Sequence, residues 1–197
     1  GVDTLAIAQQ ALNGNLFDTG KYFGIDRFDI SQARFATVTI DSRLVAQSDN
    51  KTLVLAVGNT GTPVGLNILP LDAGLSILIE GSREVRLQGG LSRTVRSSDA
   101  TATWIVGDTV TDVLYGAGWN DTLNGAGGRD QLVGGLGDDI LIGGTGADTM
   151  FGGYGSDTFY VDDVGDIVGE NRRWTGIDQV ISSVDFLMGK QHIENLA

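Results

Sequence analysis

The chain has 197 residues, 41% of them apolar, a formal net charge of −12 and no cysteine. That length and apolar content suffice for one or two domains with a core. The acidic balance disfavours nucleic acid phosphates and anionic membranes and makes divalent metal the natural counterion, while the missing cysteines exclude thiolate zinc, iron–sulfur clusters and a thiol nucleophile.

No apolar run approaches the roughly 20 residues of a membrane span, and no basic-then-apolar signal opens the chain. The sequence begins at Gly1 without methionine and closes at Ala197 just behind an apolar segment. The expectation is a piece of a longer polypeptide, whose address lies elsewhere if it is exported. Thirty glycines accompany only two prolines and gather after Gly107, which reads as positional use of glycine rather than disorder.

In chain order, residues 1–60 read as a β-rich flank with short helices. Residues 61–106 carry short apolar β-type runs at nine- to ten-residue spacing, Leu66–Leu69, Leu75–Ile79, Val85–Leu87 and Trp104–Val106, and are expected to form degenerate solenoid turns without metal sites. Asn59–Pro63 lacks the lysine that would finish a phosphate loop, and reads as a turn.

Residues 107–169 contain the strongest signal. Gly116–Asn124, Gly125–Val133, Gly134–Ile142, Gly143–Phe151 and Gly152–Tyr160 repeat with a period of nine. Aspartate occupies position six each time (Asp121, Asp130, Asp139, Asp148, Asp157), and an apolar residue position eight (Leu123, Leu132, Leu141, Met150, Phe159). Gly107–Tyr115 and Val161–Gly169 keep the phase through Asp112 and Leu114, and through Asp166 and Val168, without the glycines. They read as capping turns, with Asp112, Asp163 and Asp166 as solvated capping residues rather than ligands.

Positions seven to nine suit a short strand with residue eight inward, and positions one to six must reverse the chain. Two repeats make one coil, so repeat n stacks on n+2 at the strand spacing of roughly 4.8 Å. The predicted fold class is therefore all-β, a parallel β-roll or β-helix solenoid with irregular flanks. Stacking aligns carboxylates and turn carbonyls along each edge, a donor set for a hard cation taking six to eight oxygens, calcium rather than magnesium.

The residues expected to hold metal follow turn by turn. They are Gly116, Gly118 and Asp121; Gly125, Gly127, Gly128 and Asp130; Gly134, Gly135, Leu136, Gly137 and Asp139; Gly143, Gly144, Thr145, Gly146 and Asp148; and Gly152, Gly153, Tyr154, Gly155 and Asp157. Turns 116, 134 and 152 should share one edge, and turns 125, 143 and 161 the other. Complete sites are expected at 116/134, 134/152 and 125/143, with less complete ones at 107/125 and 143/161, about three to five ions by the coordination argument.

The repeats resemble the RTX nonapeptide G-G-x-G-x-D-x-U-x, itself described as a calcium-binding parallel β-helix repeat. They depart from it at Ala117, Trp119 and Ala126, where that family prefers glycine, so the first site is expected to be irregular. Gly176–Leu196 is similar to a segment that often follows RTX blocks, and Gly24–Gly58, with a helical turn at Asp41–Ala46, resembles a segment preceding them in large RTX adhesins. The resemblance implies the C-terminal region of a bacterial RTX protein exported by type I secretion, extracellular or at the cell surface. In that setting the chain folds on calcium and serves a structural or adhesive role. Its partners would be calcium, the rest of the polypeptide, and a glycan or other cell-surface ligand.

The alternative is an accessory domain of a secreted protease, lipase or polysaccharide-modifying enzyme. No H-E-x-x-H or G-x-S-x-G occurs, and the single histidine, His192, sits between Lys190 and Glu194 as a surface residue; this chain reads as non-enzymatic. Trp104, Trp119 and Trp174 read as core or covering residues rather than sugar platforms. A threonine ladder for ice is not evident from Thr122, Thr149 and Thr158. Ile140, Ile142 and Tyr160 should face outward from one sheet, and Val133 and Phe151 from the other. The segment from Trp174 to Leu187, within a covering segment 170–197, is expected to lie over the first of these.

Overall fold

Runs of three alternating residues between glycines can form only short strands, and short strands gain stability by stacking on copies of themselves. The computed structural model describes residues 4–6, 27–29, 37–41, 52–57, 64–69, 76–81, 84–88, 94–97, 102–169, 176–186 and 195–196. Among these there is no helix. The helical turn expected after Asp41 lies outside the described residues, and Asp41 itself ends a strand.

The strands in chain order are β1 (Thr4–Ala6), β2 (Arg27–Asp29), β3 (Thr37–Asp41), β4 (Thr52–Ala56), β5 (Val64–Leu69) and β6 (Ser76–Glu80). Then come β7 (Glu84–Gln88), β8 (Thr94–Ser97), β9 (Trp104–Val106), β10 (Val113–Ala117), β11 (Thr122–Asn124) and β12 (Gln131–Leu136). The last six are β13 (Ile140–Ile142), β14 (Thr149–Tyr154), β15 (Thr158–Val161), β16 (Ile167–Gly169), β17 (Gln179–Ser182) and β18 (Asn195–Leu196).

They form two sheets, β1-β2-β4-β6-β8-β10-β12-β14-β16 and β18-β17-β15-β13-β11-β9-β7-β5-β3. From β3 to β17 the chain alternates between them, and the pairings along both sheets are parallel. This is the parallel solenoid the period implied.

Register explains why the period shows in one stretch only. In the repeats each residue pairs with one eighteen positions on, Val113 with Gln131, Thr122 with Ile140, Gln131 with Thr149 and Ile140 with Thr158. Upstream, Thr37 pairs with Gly65, Thr52 with Ser76 and Val64 with Val85, so the coils have unequal lengths and no fixed period survives in sequence.

Between the sheets lies a core one residue deep from each side. Ile77, Val95, Leu114, Leu132, Met150 and Val168 line up in one sheet, and Val85, Ile105, Leu123, Leu141, Phe159 and Val180 in the other. All of them are essentially inaccessible to solvent. Position eight is thus the inward position in every repeat.

Outward, Ile142, Tyr160 and Ile181 follow one another in register in one sheet, and Tyr115, Val133 and Phe151 in the other, with Arg96 stacked 3.9 Å from the centre of the Tyr115 ring. The expected cover over Ile142 and Tyr160 takes a different form. Gln179–Ser182 joins the edge of that sheet beside Thr158–Val161 and so extends it in plane, leaving Tyr160 and Ile140 about 40% exposed (40% and 39%). Trp174 and Leu187 lie outside the described residues. Thr122 and Thr158 share one outward row, but Ile140 stands between them.

Candidate metal sites along the edges of the roll

The turn joining two strands has six residues in which to reverse, and its backbone must visit the left-handed region twice. In all five repeats positions two and four have positive φ: Ala117 and Trp119, Ala126 and Gly128, Gly135 and Gly137, Gly144 and Gly146, Gly153 and Gly155. The turn is therefore uniform even where glycine is missing. Ala117, Trp119 and Ala126 hold φ of 77, 72 and 71°, a conformation costing a non-glycine residue about 1–2 kcal/mol. The irregularity expected of the first site is paid in backbone strain, not in a change of path.

Close stacking forbids a side chain at several of these glycines. A Cβ on Gly146 would fall into the Gly128 carbonyl, and one on Gly153 into the Gly135 carbonyl. Turn 143 thus sits on turn 125, and turn 152 on turn 134. The two edges are populated as the parity of the repeats required.

The position-six aspartates bind the turns into two ladders. On one edge Thr103, Asp121, Asp139 and Asp157 donate their N–H groups to Oδ1 of Asp121, Asp139, Asp157 and Asp178 at 2.6, 2.7, 2.8 and 2.9 Å. On the other, Asp112, Asp130 and Asp148 donate to Oδ1 of Asp130, Asp148 and Asp166 at 2.7, 2.7 and 2.9 Å. Each carboxylate therefore spends one oxygen on the turn below it.

The second oxygen is the notable one. Oδ2 of Asp121, Asp130, Asp139, Asp148 and Asp157 is buried without a hydrogen-bond partner. A buried acceptor without a partner costs about 1–3 kcal/mol, more when charged, and five in phase form a row of donors suited to a cation. The Oδ2 atoms of Asp121, Asp130 and Asp139 share a cradle with a carbonyl oxygen of the turn above. The place a Cβ would take on Gly125 is flanked by Asp130 Oδ2 and, 2.6 Å away, by Gly143 O; on Gly134 it is flanked by Asp139 Oδ2 and, again at 2.6 Å, by Gly152 O. Gly116 has the same cradle, between Asp121 Oδ2 and Gly134 O.

Electrostatics agree. Burial, opposed by the hydrogen bond from the turn below, pushes the carboxyl of Asp139 up to about 8, those of Asp121 and Asp130 to about 7, and those of Asp148 and Asp157 to about 6. Neighbouring aspartates in the ladder add to the rise for Asp130, Asp139, Asp148 and Asp157. An all-oxygen set of carboxylate and main-chain carbonyl suits calcium, which accepts irregular shells of six to eight oxygens. Among the described residues no three acidic or histidine side chains converge, since each turn offers one carboxylate and the remaining donors must be main-chain.

The ends of the ladders differ from the middle. Asp112 Oδ2 accepts the Asp108 N–H at 3.1 Å, and Asp166 Oδ2 accepts those of Asp162 and Asp163 at 3.2 Å each. Asp163 Oδ1 takes the Gly165 N–H at 2.7 Å. Asp112 and Asp166 are thus buried within the ladders rather than solvated as expected, with their second oxygens bonded inside their own turns. The space at 143/161 retains a partnerless oxygen, that of Asp148, whereas at 107/125 the Asp112 oxygen is already engaged. Asp178 was not anticipated, although Gly176-x-Asp178-x-Val180 carries its signal. A further exposed ladder was also missed, in which Asp138 N–H bonds Asn120 Oδ1 and Ser156 N–H bonds Asp138 Oδ1 at 3.0 and 2.8 Å.

The family model for the RTX calcium-binding nonapeptide repeat (4 copies) matches twice, over residues 106–141 and 133–168. No curated protein and no solved structure matches the chain. No helix among the described residues is long and apolar enough to cross a membrane.

Proposed function

From the RTX calcium-binding β-roll that residues 106–168 form, we propose that this chain is an extracellular module of a secreted bacterial protein. It folds on calcium after type I export and then serves as a stiff structural or adhesive element. The observation carrying this reading is the row of five buried Oδ2 atoms without partners. Without metal, the roll must hold those carboxylates protonated or charged against one another, so the bare chain is driven toward the unfolded state. Metal that binds only the folded turns reverses this by mass action.

The residues assigned to calcium are Asp121, Asp130, Asp139, Asp148 and Asp157 through Oδ2, with main-chain carbonyls of positions one to four in the stacked turns. The position-one carbonyls of Gly134, Gly143 and Gly152 share their cradles with Oδ2 of Asp121, Asp130 and Asp139. Bound calcium supplies the charge that lets aligned carboxylates stay ionised in a dry edge. The glycines admit the close approach of turns, and the inward Leu, Met and Phe side chains set the spacing.

Low calcium inside the producing cell would keep the chain extended for export, and millimolar calcium outside would fold it. No constellation of catalytic groups is needed for such a role, and RTX rolls are structural calcium-binding modules. Far-UV circular dichroism during calcium titration tests the reading, with magnesium as control. A cooperative coil-to-β transition driven by calcium alone is expected; full β structure in chelator, unchanged by calcium, would refute it.

A further inference from the structure

The aspartate ladder continues past the last nine-residue repeat. Asp157 N–H donates to Asp178 Oδ1 across 21 residues instead of 18, and Gln179 N–H donates to the Asp157 carbonyl at 2.8 Å. One turn below, Asp139 N–H meets Asp157 Oδ1, and Thr158 N–H meets the Asp139 carbonyl, at 2.8 Å each. The contacts are the same in kind, so Gly176–Ile181 repeats positions four to nine after a three-residue insertion.

Packing agrees with the hydrogen bonds. A Cβ on Gly176 would fall into the Gly155 carbonyl, as one on Gly155 would fall into that of Gly137. Asp178 is buried, 7% exposed, and Val180 occupies the inward row with no exposure.

Asp157 lies below this turn with 1% exposure, its Oδ2 without a partner. On the two lower turns of this edge, the corresponding oxygens of Asp121 and Asp139 lie against the position-one carbonyl of the turn above. Asp157 is held by the same Oδ1 bond. The opposite edge shows what an ended ladder looks like, with Asp166 Oδ2 taken up by amides of its own turn.

We infer that the space between turn 152 and the turn ending at Asp178 is a further calcium site, outside the residues matched by the repeat family. Asp157 Oδ2, Asp178 and main-chain carbonyls including that of Gly155 form it, and its ion fastens β17 and β18 to the roll. This rests on the calcium reading of the preceding turns.

The test uses Asp178→Asn in the whole chain, because the amide oxygen can still accept the Asp157 N–H while the charge is lost. Calcium bound per chain is measured by equilibrium dialysis, and amide exchange of 179–182 is compared with that of 113–161 at saturating calcium. The expected result is one ion fewer, with exchange of 179–182 faster by about tenfold or more and that of 113–161 unchanged. An unchanged stoichiometry overturns the site. So does a variant whose turns 116–152 fail to fold in calcium, since a site at the end of the stack is not required by the turns before it. Absence of calcium binding by the unaltered chain would instead bring down the calcium reading itself.

Discussion

Asp139→Asn should change the sign of its effect with calcium. Asp139 is 1% exposed. Its Oδ1 accepts the Asp121 N–H at 2.7 Å, and its Oδ2 has no partner. Asparagine keeps the first bond and puts an uncharged NH2 group in place of the second oxygen, beside the Gly152 carbonyl that can accept from it. In chelator the substitution relieves a buried, partnerless acceptor, a gain of about 1–3 kcal/mol by the usual penalty for such groups. In calcium the same change strips an anionic donor from the 134/152 space and disturbs turn 134, which also carries the Gly134 carbonyl of the 116/134 space. A site working at about a hundred times its dissociation constant contributes about 2.7 kcal/mol, so loss of one to two sites removes about 3–5 kcal/mol. Urea unfolding of both proteins in millimolar calcium measures the loss, and the β content of each in chelator, read by circular dichroism without urea, gives the direction of the gain. A variant that is destabilised in chelator, or equal to the parent in calcium, would refute the assignment of Asp139 Oδ2 to metal.

Acidity should stabilise the metal-free roll and weaken its hold on calcium. The folded carboxyls of Asp121, Asp130, Asp139, Asp148 and Asp157 are raised from 3.8 to between about 6 and about 8, so between these limits the metal-free roll binds more protons than the unfolded chain. Its stability is fully present below about 3.8 and falls as pH rises through 6 to 8. In chelator, circular dichroism should show more β structure at pH 5 than at pH 8, whereas the calcium affinity of the folded roll should fall as pH drops over the same range, because protons compete for the same Oδ2 atoms. Less β structure at pH 5 in chelator, or a calcium affinity that does not change with pH, would contradict the account. Gly146→Ala, at φ +120° with the Gly128 carbonyl where its methyl must go, should destabilise the calcium-loaded roll by about 3 kcal/mol or more, seen as a lowered melting temperature. The exposed neighbour Thr145→Ala should stay within about 0.5 kcal/mol of the parent, and similar effects at both positions would argue against the stacked geometry.

The parts of the fold legible in sequence are those where one residue has one task. Position six must place a carboxylate on the edge and position eight must fill a core with no room for polar groups, so Asp121 to Asp157 and Leu123 to Phe159 kept a readable period of nine. The pairing of turns followed from parity alone. Upstream the core row is equally well filled, by Ile77, Val85, Val95 and Ile105. There paired residues lie 21 to 28 positions apart rather than a constant 18, so the strands β2 to β5 left no period to find. Thr103 marks the changeover, since it sits where the next turn has Asp121 and presents its N–H to that aspartate. Gln179–Ser182 departs from the expected cover for a related reason. Three inserted residues broke the phase ahead of Gly176, which concealed Asp178 as a ladder member and made β17 resemble a cover rather than another rung. Which oxygens lack partners could not be read from sequence, because Asp112 and Asp148 occupy the same repeat position and differ only in whether a nearby amide reaches Oδ2.

The most direct test is crystallographic. Crystals grown in millimolar calcium should give anomalous difference peaks in the spaces at 116/134, 134/152, 125/143 and 143/161, each within roughly 2.3–2.6 Å of the aspartate Oδ2 that here has no partner. Peaks absent from these spaces, with Oδ2 bonded instead to water or to a protein amide, would contradict calcium as the element that holds the turns together.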